Sequence, residues 1–205
     1  LRVAVVSTAK YFMPRLLGSF CTRHPEIDVA LEILNRDGVV HRLRENMDDL
    51  YIMSMPPADM DLGDEVFMPN PLVVIAPSAD PLAVRQQVPL QDLAQRRFIL
   101  REKGSGTRMA GDRFFRARRF RPDVRLELGS NEAVKESVAG GLGIGLVSLH
   151  ALHGQQKEHG VSVIDVEGFP LPSAWHIVHP SSKKLSPLAR AFKQHLLDEV
   201  GGGPV

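Results

Sequence analysis

The sequence predicts an α/β protein made of two β/α subdomains joined by two crossover segments. Three observations lead to this fold class: strand-like and helix-like stretches alternate, the alternation occurs in two consecutive blocks, and prolines stand where one block gives way to the other. A β-α-β-α-β order is typical of a parallel sheet with helices on its faces. The expected subdomains are residues 1–70 plus 173–205, and residues 71–172.

The first block opens with the apolar strand LRVAVVS, and Pro14 then precedes apolar residues at helical spacing. Proline fits the first turn of a helix, so the helix is expected to begin near residues 11–14. Residues 7–10 then form a strand-to-helix loop. The stretches IDVALEIL, VVHRLRE and LYIMSM predict a strand, a short helix and a third strand.

The second block repeats this order. DEVFMP and PLVVIAP are predicted strands separated by Pro69, Asn70 and Pro71, a composition suited to a crossover. QRRFIL, DVRLELG, IGLVS and VSVIDV predict further strands, with helices around RMAGDRFFRARRF and SNEAVKESVAGG. FPLPSAWHIVH predicts a second crossover, and LSPLARAFKQHLLDEV predicts a closing amphipathic helix.

Composition and charge narrow the functional classes. The 205 residues carry 25 Lys and Arg against 24 Asp and Glu, whereas a dedicated nucleic-acid-binding domain is usually more basic. A single cysteine excludes an internal disulfide, no Cys/His spacing predicts a zinc site, and no apolar run approaches the ~18 residues of a membrane span. The chain starts without a Met or a signal peptide, which suggests a fragment.

Three segments follow predicted strands at the start of predicted helices: Ser7–Lys10, Glu102–Arg108 and Ser130–Glu132. In a sheet of this kind, ligands bind beyond the carboxyl ends of the strands, and helix N-termini favour negative charge. Gly106 permits close backbone approach, and Arg108 offers a planar cationic fork. The sequence therefore predicts a site for a small anion, while Lys10 and Glu102 either contact that ligand or pair on the surface.

Other motifs have simpler interpretations. GGLGIG, residues 140–145, lacks dinucleotide-motif spacing and predicts a helix end with a tight turn, and GSGTR misses the phosphate-loop pattern of nucleotide triphosphatases. The arginines between residues 113 and 125 interleave with phenylalanines at helical spacing, which favours a solvated helix face over a nucleic-acid surface. No serine lies in a nucleophile elbow, and neither His150 with His153 nor His176 with His179 has a third metal ligand nearby. We therefore expect no enzyme activity and no metal.

Several runs together resemble a known family. VVSTAKYFMPRLLGSFCTRHPEIDVALEILNR, RENMDDLYIMSMPP, NPLVVIAPSADPLA, FILREKGSGTR and GSNEAVKESVAGGLGIGLVS occur in the order found in the effector-binding domain of LysR-type transcriptional regulators. The resemblance covers nearly the whole chain. Within the family, STAKYF, NMDDLYIM and REKGSGTR resemble the regulators of carbon-fixation (RubisCO, Calvin-cycle) operons.

This resemblance implies two Rossmann-like subdomains like those of a type 2 periplasmic binding protein. It also implies an N-terminal winged helix-turn-helix that is absent from this chain and binds promoter DNA, with RNA polymerase contacted indirectly. The domain would form a homodimer through its first helix and second strand, within a homotetramer. We expect a cytoplasmic protein without a membrane partner or a resident cofactor.

The resemblance further implies an effector between the subdomains, such as ribulose 1,5-bisphosphate, phosphoenolpyruvate or NADPH. Together with Glu102 from the loop pattern, the expected effector-binding residues are Ser7, Thr8, Lys10, Ser105, Gly106, Thr107, Arg108, Ser130, Asn131 and Glu132. Two alternatives remain: a periplasmic-type solute-binding protein for a small anion, which shares the fold, and an enzyme of anionic metabolites.

Overall fold

The computed structural model describes residues 1–152 and 160–201, so His153 lies outside the described residues. The described residues form two compact units, one made of residues 1–69 with 174–201 and the other made of residues between 70 and 173. Each boundary differs by one residue from the one expected at the prolines. The chain thus passes from one unit to the other twice, and the expected two-subdomain α/β architecture with two crossovers is confirmed.

The strands and helices follow one another along the chain in three stretches. The first stretch forms β1 (Arg2–Val6), α1 (Met13–Arg23), β2 (Ala30–Leu34), α2 (Arg36–Arg44), β3 (Leu50–Met53) and β4 (Leu62–Pro69). The middle stretch forms β5 (Leu72–Pro77), β6 (Arg97–Arg101), α3 (Gly106–Ala117), β7 (Asp123–Leu128), α4 (Asn131–Ala139), β8 (Ile144–Ser148) and β9 (Val161–Ile164). The last stretch adds β10 (Ala174–Pro180) and α5 (Pro187–Gly201).

Each unit contains a five-stranded sheet. The strand order is β2-β1-β3-β10-β4 in the first unit and β7-β6-β8-β5-β9 in the second. The sequence predicts parallel sheets, and this is correct only for the pairs among β1, β2 and β3 and among β6, β7 and β8. Strands β4, β10, β5 and β9 pair antiparallel; β4 and β5 flank the first crossover, and β9 and β10 flank the second.

Each unit buries its own core. In the first unit, α1 and α5 pack against each other, and Phe20 and Phe192 meet edge to face with centroids 5.0 Å apart. Trp175 is fully buried in β10 and packs on Phe12. In the second unit, one apolar cluster that includes Phe98 and Phe115 lies on one side, and a smaller cluster around Val134 lies under α4.

The glycine run at residues 140–145 ends a helix and makes a turn, as the sequence predicts. Gly140 is the C-cap of α4, and Gly141 has a positive φ of 77°. A Cβ at Gly143 would lie 2.2 Å from the carbonyl oxygen of Arg97, so no side chain fits there. The glycines therefore serve the connection from α4 to β8 and do not form a dinucleotide site.

Candidate functional site

The Ser7–Lys10 segment is a short 3-10 helix, Ser7–Tyr11, and not the loop that the sequence predicts. Pro14 lies in the first turn of α1, which begins at Met13. The residues before Met13 are therefore outside the α-helix and form a separate, tighter turn. Thr8 is buried, and its hydroxyl oxygen accepts a hydrogen bond from Trp175 Nε1 at 3.2 Å. Lys10 is half-buried, with Nζ 5.5 Å from the ring centre of Tyr11. Thr8 thus helps to fix the turn that carries Lys10.

The Glu102–Arg108 segment runs from β6 into α3. Gly104 adopts a left-handed φ of 91°, which favours glycine, and Ser105 is the N-cap that accepts from the backbone N–H of Arg108. Because the helix begins at Gly106, Thr107 and Arg108 lie in its first turn and not in a loop. Ser105 and Thr107 are buried, with 3% and 4% of their surface exposed. This arrangement presents backbone N–H groups at a helix N-terminus, as the sequence predicts.

Arg108 is held by the protein itself. Its Nε donates to both carboxylate oxygens of Asp112 at 3.0 Å, Nη1 donates to the carbonyl oxygen of Arg101 at 2.9 Å, and Nη2 donates to Glu127 at 3.2 Å. The guanidinium therefore ties α3 to the neighbouring strands β6 and β7. Its expected contact with an anionic ligand stays a prediction.

The third segment caps α4. Ser130 is the N-cap, and its hydroxyl oxygen accepts from the backbone N–H of Ala133 at 3.1 Å. Asn131 is 2% exposed at the first position of the helix, and its side-chain oxygen accepts from Arg101 Nη1 at 3.2 Å. Among the described residues, the Nδ2 of Asn131 is the one buried side-chain polar atom without a hydrogen-bond partner. A buried donor of this kind, next to a helix N-terminus, suits an acceptor oxygen of a ligand.

Arg101 is a residue that the sequence reasoning missed. It ends β6 and is 1% exposed, and it donates to Glu102 at 2.8 and 3.1 Å and to the carbonyl oxygen of Gly129 at 3.2 Å. It therefore connects two of the predicted segments, those containing Glu102 and Asn131. The signal was present in the sequence: a charged residue ends the apolar run FIL at the carboxyl end of a strand.

The remaining predicted site residue, Glu132, lies half-buried in the first turn of α4. Within residues 1–152 and 160–201, no three His, Cys, Asp or Glu side chains are grouped so that they could hold a metal ion. The same part of the chain contains no helix that is both long and apolar enough to cross a bilayer.

The chain is similar to known proteins over nearly its whole length. The model of the LysR substrate binding domain family matches residues 1–201. The chain is 44% identical over 196 residues to the HTH-type transcriptional activator CmpR of a Synechocystis strain, and 45% identical over 203 residues to the RuBisCO operon transcriptional regulator of Acidithiobacillus ferrooxidans. These alignments cover 96% and 99% of this chain but 64% and 66% of the relatives, so the chain spans less than two thirds of their length.

Among solved structures, the regulatory domain of Synechocystis PCC6803 CcmR in complex with 2-PG matches with a TM-score of 0.96 and 42% identity. That match covers 100% of this chain and 99% of the other. The two α/β units with mixed sheets thus have the periplasmic-binding-protein-like architecture of LysR domains. The named relatives are transcriptional regulators and not enzymes. The chain belongs to the LysR family, as a LysR substrate-binding domain.

Proposed function

We propose that this chain is the effector-sensing domain of a LysR-type regulator that controls carbon-fixation genes. One observation carries the proposal: over its whole length the chain matches the 2-PG-bound CcmR regulatory domain at 42% identity. The name of a second relative, a RuBisCO operon regulator at 45% identity, supports the same metabolic context. The protein would act in the cytoplasm, on promoter DNA, through a winged helix-turn-helix outside this chain, and would affect RNA polymerase indirectly.

The proposed effector is a small phosphorylated metabolite. 2-Phosphoglycolate becomes the first candidate, beside ribulose 1,5-bisphosphate, phosphoenolpyruvate and NADPH. The chemistry of the α4 N-terminus supports an anion, because backbone N–H groups and the buried Nδ2 of Asn131 are donors. The proposed contacts are the residues expected from the sequence: Ser7, Thr8, Lys10, Glu102, Ser105, Gly106, Thr107, Arg108, Ser130, Asn131 and Glu132.

The carboxylates in this set need a separate role. Glu102 accepts two hydrogen bonds from Arg101, so its negative charge is compensated by a buried guanidinium. We propose that Glu102 orients Arg101, and through it the amide of Asn131, and does not oppose the phosphate. The effector then changes transcription by binding one conformation of the domain more tightly than another, and a coupling of about 1–3 kcal/mol changes affinity about 5- to 150-fold.

We propose that the chain forms a homodimer through α1 and β2, and that this dimer is part of a homotetramer. Two features of the first unit support it. Strand β2 lies at the edge of its sheet, and 43% of the surface of its residue Ile33 is exposed. Gly18 on α1 is exposed, with open space where a Cβ would be, which permits another backbone to approach. Sedimentation of Gly18→Glu tests this: a dimer that persists in the variant would contradict the proposed interface.

Thermal unfolding with a panel of metabolites tests the proposed effector. The panel contains 2-phosphoglycolate, ribulose 1,5-bisphosphate, phosphoenolpyruvate, 3-phosphoglycerate and NADPH, with sulfate as a control for simple anions. A ligand at 100 times its Kd stabilises the folded state by about 2.7 kcal/mol, a shift in Tm of about 5–10 °C at this size. A shift confined to phosphorylated metabolites supports the proposal, and no shift with any of them contradicts it.

A further inference from the structure

The second unit carries six arginines on one continuous part of the chain that the proposed function does not use. We call them the arginine face: Arg113, Arg116, Arg118, Arg119, Arg121 and Arg125. All six are exposed. The phenylalanines between them turn inward, since Phe115 and Phe120 are 2% and 7% exposed. The alternation in the sequence thus separates a buried apolar stripe from an external cationic surface.

The arginine face has no carboxylate of its own. The nearest acidic residues in the chain are Asp112, Asp123 and Glu127. Asp112 and Glu127 accept hydrogen bonds from Arg108, and Asp123 pairs with Arg97 at 3.1 Å. Within the described part of the chain, no ion pair within 4.0 Å joins any of the six to an acidic side chain. Arg118 instead lies over the ring of Phe114 at 4.8 Å, and Arg125 donates to the carbonyl oxygen of Leu142.

Charge is strongly segregated in this protein. Residues 113–125 contain six arginines and one aspartate, a net charge of +5, whereas the whole chain carries +1. All remaining residues together therefore carry −4. Because the total charge of the chain is nearly balanced, composition alone does not show this local excess of positive charge and argues against a polyanionic partner.

The arginine face lies away from the candidate effector residues of its unit. Helix α3 begins at Gly106, beside Ser105, and ends at Ala117, beside Arg118. Its 12 residues span about 18 Å at 1.5 Å per residue. Strand β7 likewise begins next to Arg121 and ends next to Ser130, and it forms the edge of its sheet. Four of the six, Arg116, Arg118, Arg119 and Arg121, therefore lie at or just beyond the ends of α3 and β7 that are opposite to the predicted anion site, and Arg113 and Arg125 lie within these two elements.

The chemistry of this surface distinguishes two classes of partner. Protein interfaces have an apolar or aromatic centre that supplies most of the binding energy. The exposed large apolar side chains among the described residues are Ile33, Met47, Val66, Val84 and Leu149, and all lie outside residues 113–125. Contacts to a nucleic-acid backbone, in contrast, consist of cationic groups on phosphates, and a guanidinium matches phosphate with two hydrogen bonds.

We propose that the arginine face binds the sugar–phosphate backbone of duplex DNA, as a second, sequence-independent contact made by the regulatory domain itself. The contact fits this protein because its relatives are regulators named for a helix-turn-helix, which work on DNA. An attraction of this kind depends on charge and falls steeply with salt. The surface neither reads bases nor overlaps the effector residues.

Fluorescence anisotropy with a labelled random-sequence duplex tests the proposal on this chain. The first variant combines Arg113→Gln, Arg116→Gln, Arg119→Gln and Arg121→Gln. A matched control removes the same charge elsewhere, with Arg44→Gln, Arg85→Gln, Lys184→Gln and Arg190→Gln, since these four cationic side chains are also exposed. A third variant replaces the first four arginines with lysine, which keeps the charge if the glutamine variant does not fold.

The unmodified chain should bind the duplex at about 50 mM salt and lose affinity steeply by about 200 mM. The glutamine variant should bind at least about ten-fold more weakly. The slope of the logarithm of its binding constant against the logarithm of the salt concentration should become shallower by about one for each arginine removed. The control and lysine variants should keep most of the affinity. Equal loss in variant and control, or no binding by the unmodified chain at low salt, overturns the proposal. Tighter, arginine-dependent binding to polyglutamate than to DNA also overturns it, in favour of an acidic protein partner.

Discussion

Arg101 donates from Nη1 to the side-chain oxygen of Asn131 at 3.2 Å, and this hydrogen bond determines which end of the amide is the donor. The other end, Nδ2, is buried and has no partner among the described residues. A buried donor without an acceptor costs about 1–3 kcal/mol. An effector that brought an oxygen to this atom would recover that energy, which supports the proposed contact between Asn131 and a ligand.

Asn131→Asp should therefore weaken binding of 2-phosphoglycolate, or of whichever panel compound binds, by at least about ten-fold. The aspartate keeps an acceptor for Arg101 and the shape of the amide, but it replaces the donor with a second acceptor oxygen that repels a phosphate. Calorimetric titration measures the change. Ser137→Asp adds the same charge to α4 away from Asn131 and should leave the affinity nearly unchanged. Equal affinity of Asn131→Asp and the unmodified chain would remove Asn131 from the site.

Arg108→Ala should lower the free energy of unfolding by about 1–3 kcal/mol. The variant removes hydrogen bonds that tie α3 to β6 and β7, and it leaves Asp112 and Glu127 without their cation. Both carboxylates are 40% exposed, so solvent screens part of the loss. Urea unfolding measures the change, with Arg113→Ala on the same helix as a control. Unchanged stability together with strongly weakened effector binding would favour the role as a ligand contact that the sequence predicts.

Asp80 gives the second unit a pH-dependent contribution to stability. Burial raises the pKa of its carboxyl group, but hydrogen bonds from Arg96 and from the backbone N–H of Leu82 outweigh burial, so the pKa lies below its usual value. A lowered pKa stabilises the folded state above the unfolded pKa of about 3.9, and this contribution is lost as the pH falls through the folded pKa.

Asp80→Asn should accordingly destabilise the protein by about 1 kcal/mol or more at neutral pH, because it removes the ion pair with Arg96 and the negative charge that accepts from the backbone N–H of Leu82. The difference from the unmodified chain should narrow as the pH falls below about 4. Thermal unfolding across this range measures both effects. A difference that stays constant with pH would show that the charge of Asp80 contributes nothing.

Asp48 should be among the most sensitive positions of the first unit. Its side chain is 1% exposed and accepts two hydrogen bonds from Arg42 at 2.7 and 2.8 Å, while its backbone N–H donates to the hydroxyl of Tyr51. Breaking a buried ion pair on one side costs about 3–5 kcal/mol, and the partial exposure of Arg42 places Asp48→Ala near the lower end. Chemical unfolding measures this loss. Asp59→Ala removes an exposed partner of Arg44 and should cost much less.

The order of elements could be predicted because its signals are local. Apolar periodicity gave the strands, Pro14 placed the start of α1 to within two residues of Met13, and the prolines at 69 and 71 marked the first crossover. The antiparallel pairing of β4, β5, β9 and β10 could not be predicted in this way. Strand direction within a sheet depends on how distant segments meet, and no local pattern records it.

The sequence by itself determined the α/β class, the two crossovers, the helix start at Ser130, and the separation of arginines from phenylalanines in residues 113–125. Each follows from propensity, spacing or capping within a few neighbouring residues. Only the tertiary structure decided that Arg108 is held by Glu127 and by the carbonyl oxygen of Arg101, and that Arg101 leaves Nδ2 of Asn131 as a buried donor. A hydrogen bond is assigned by the position of its partner, and those partners lie on elements that only folding brings together.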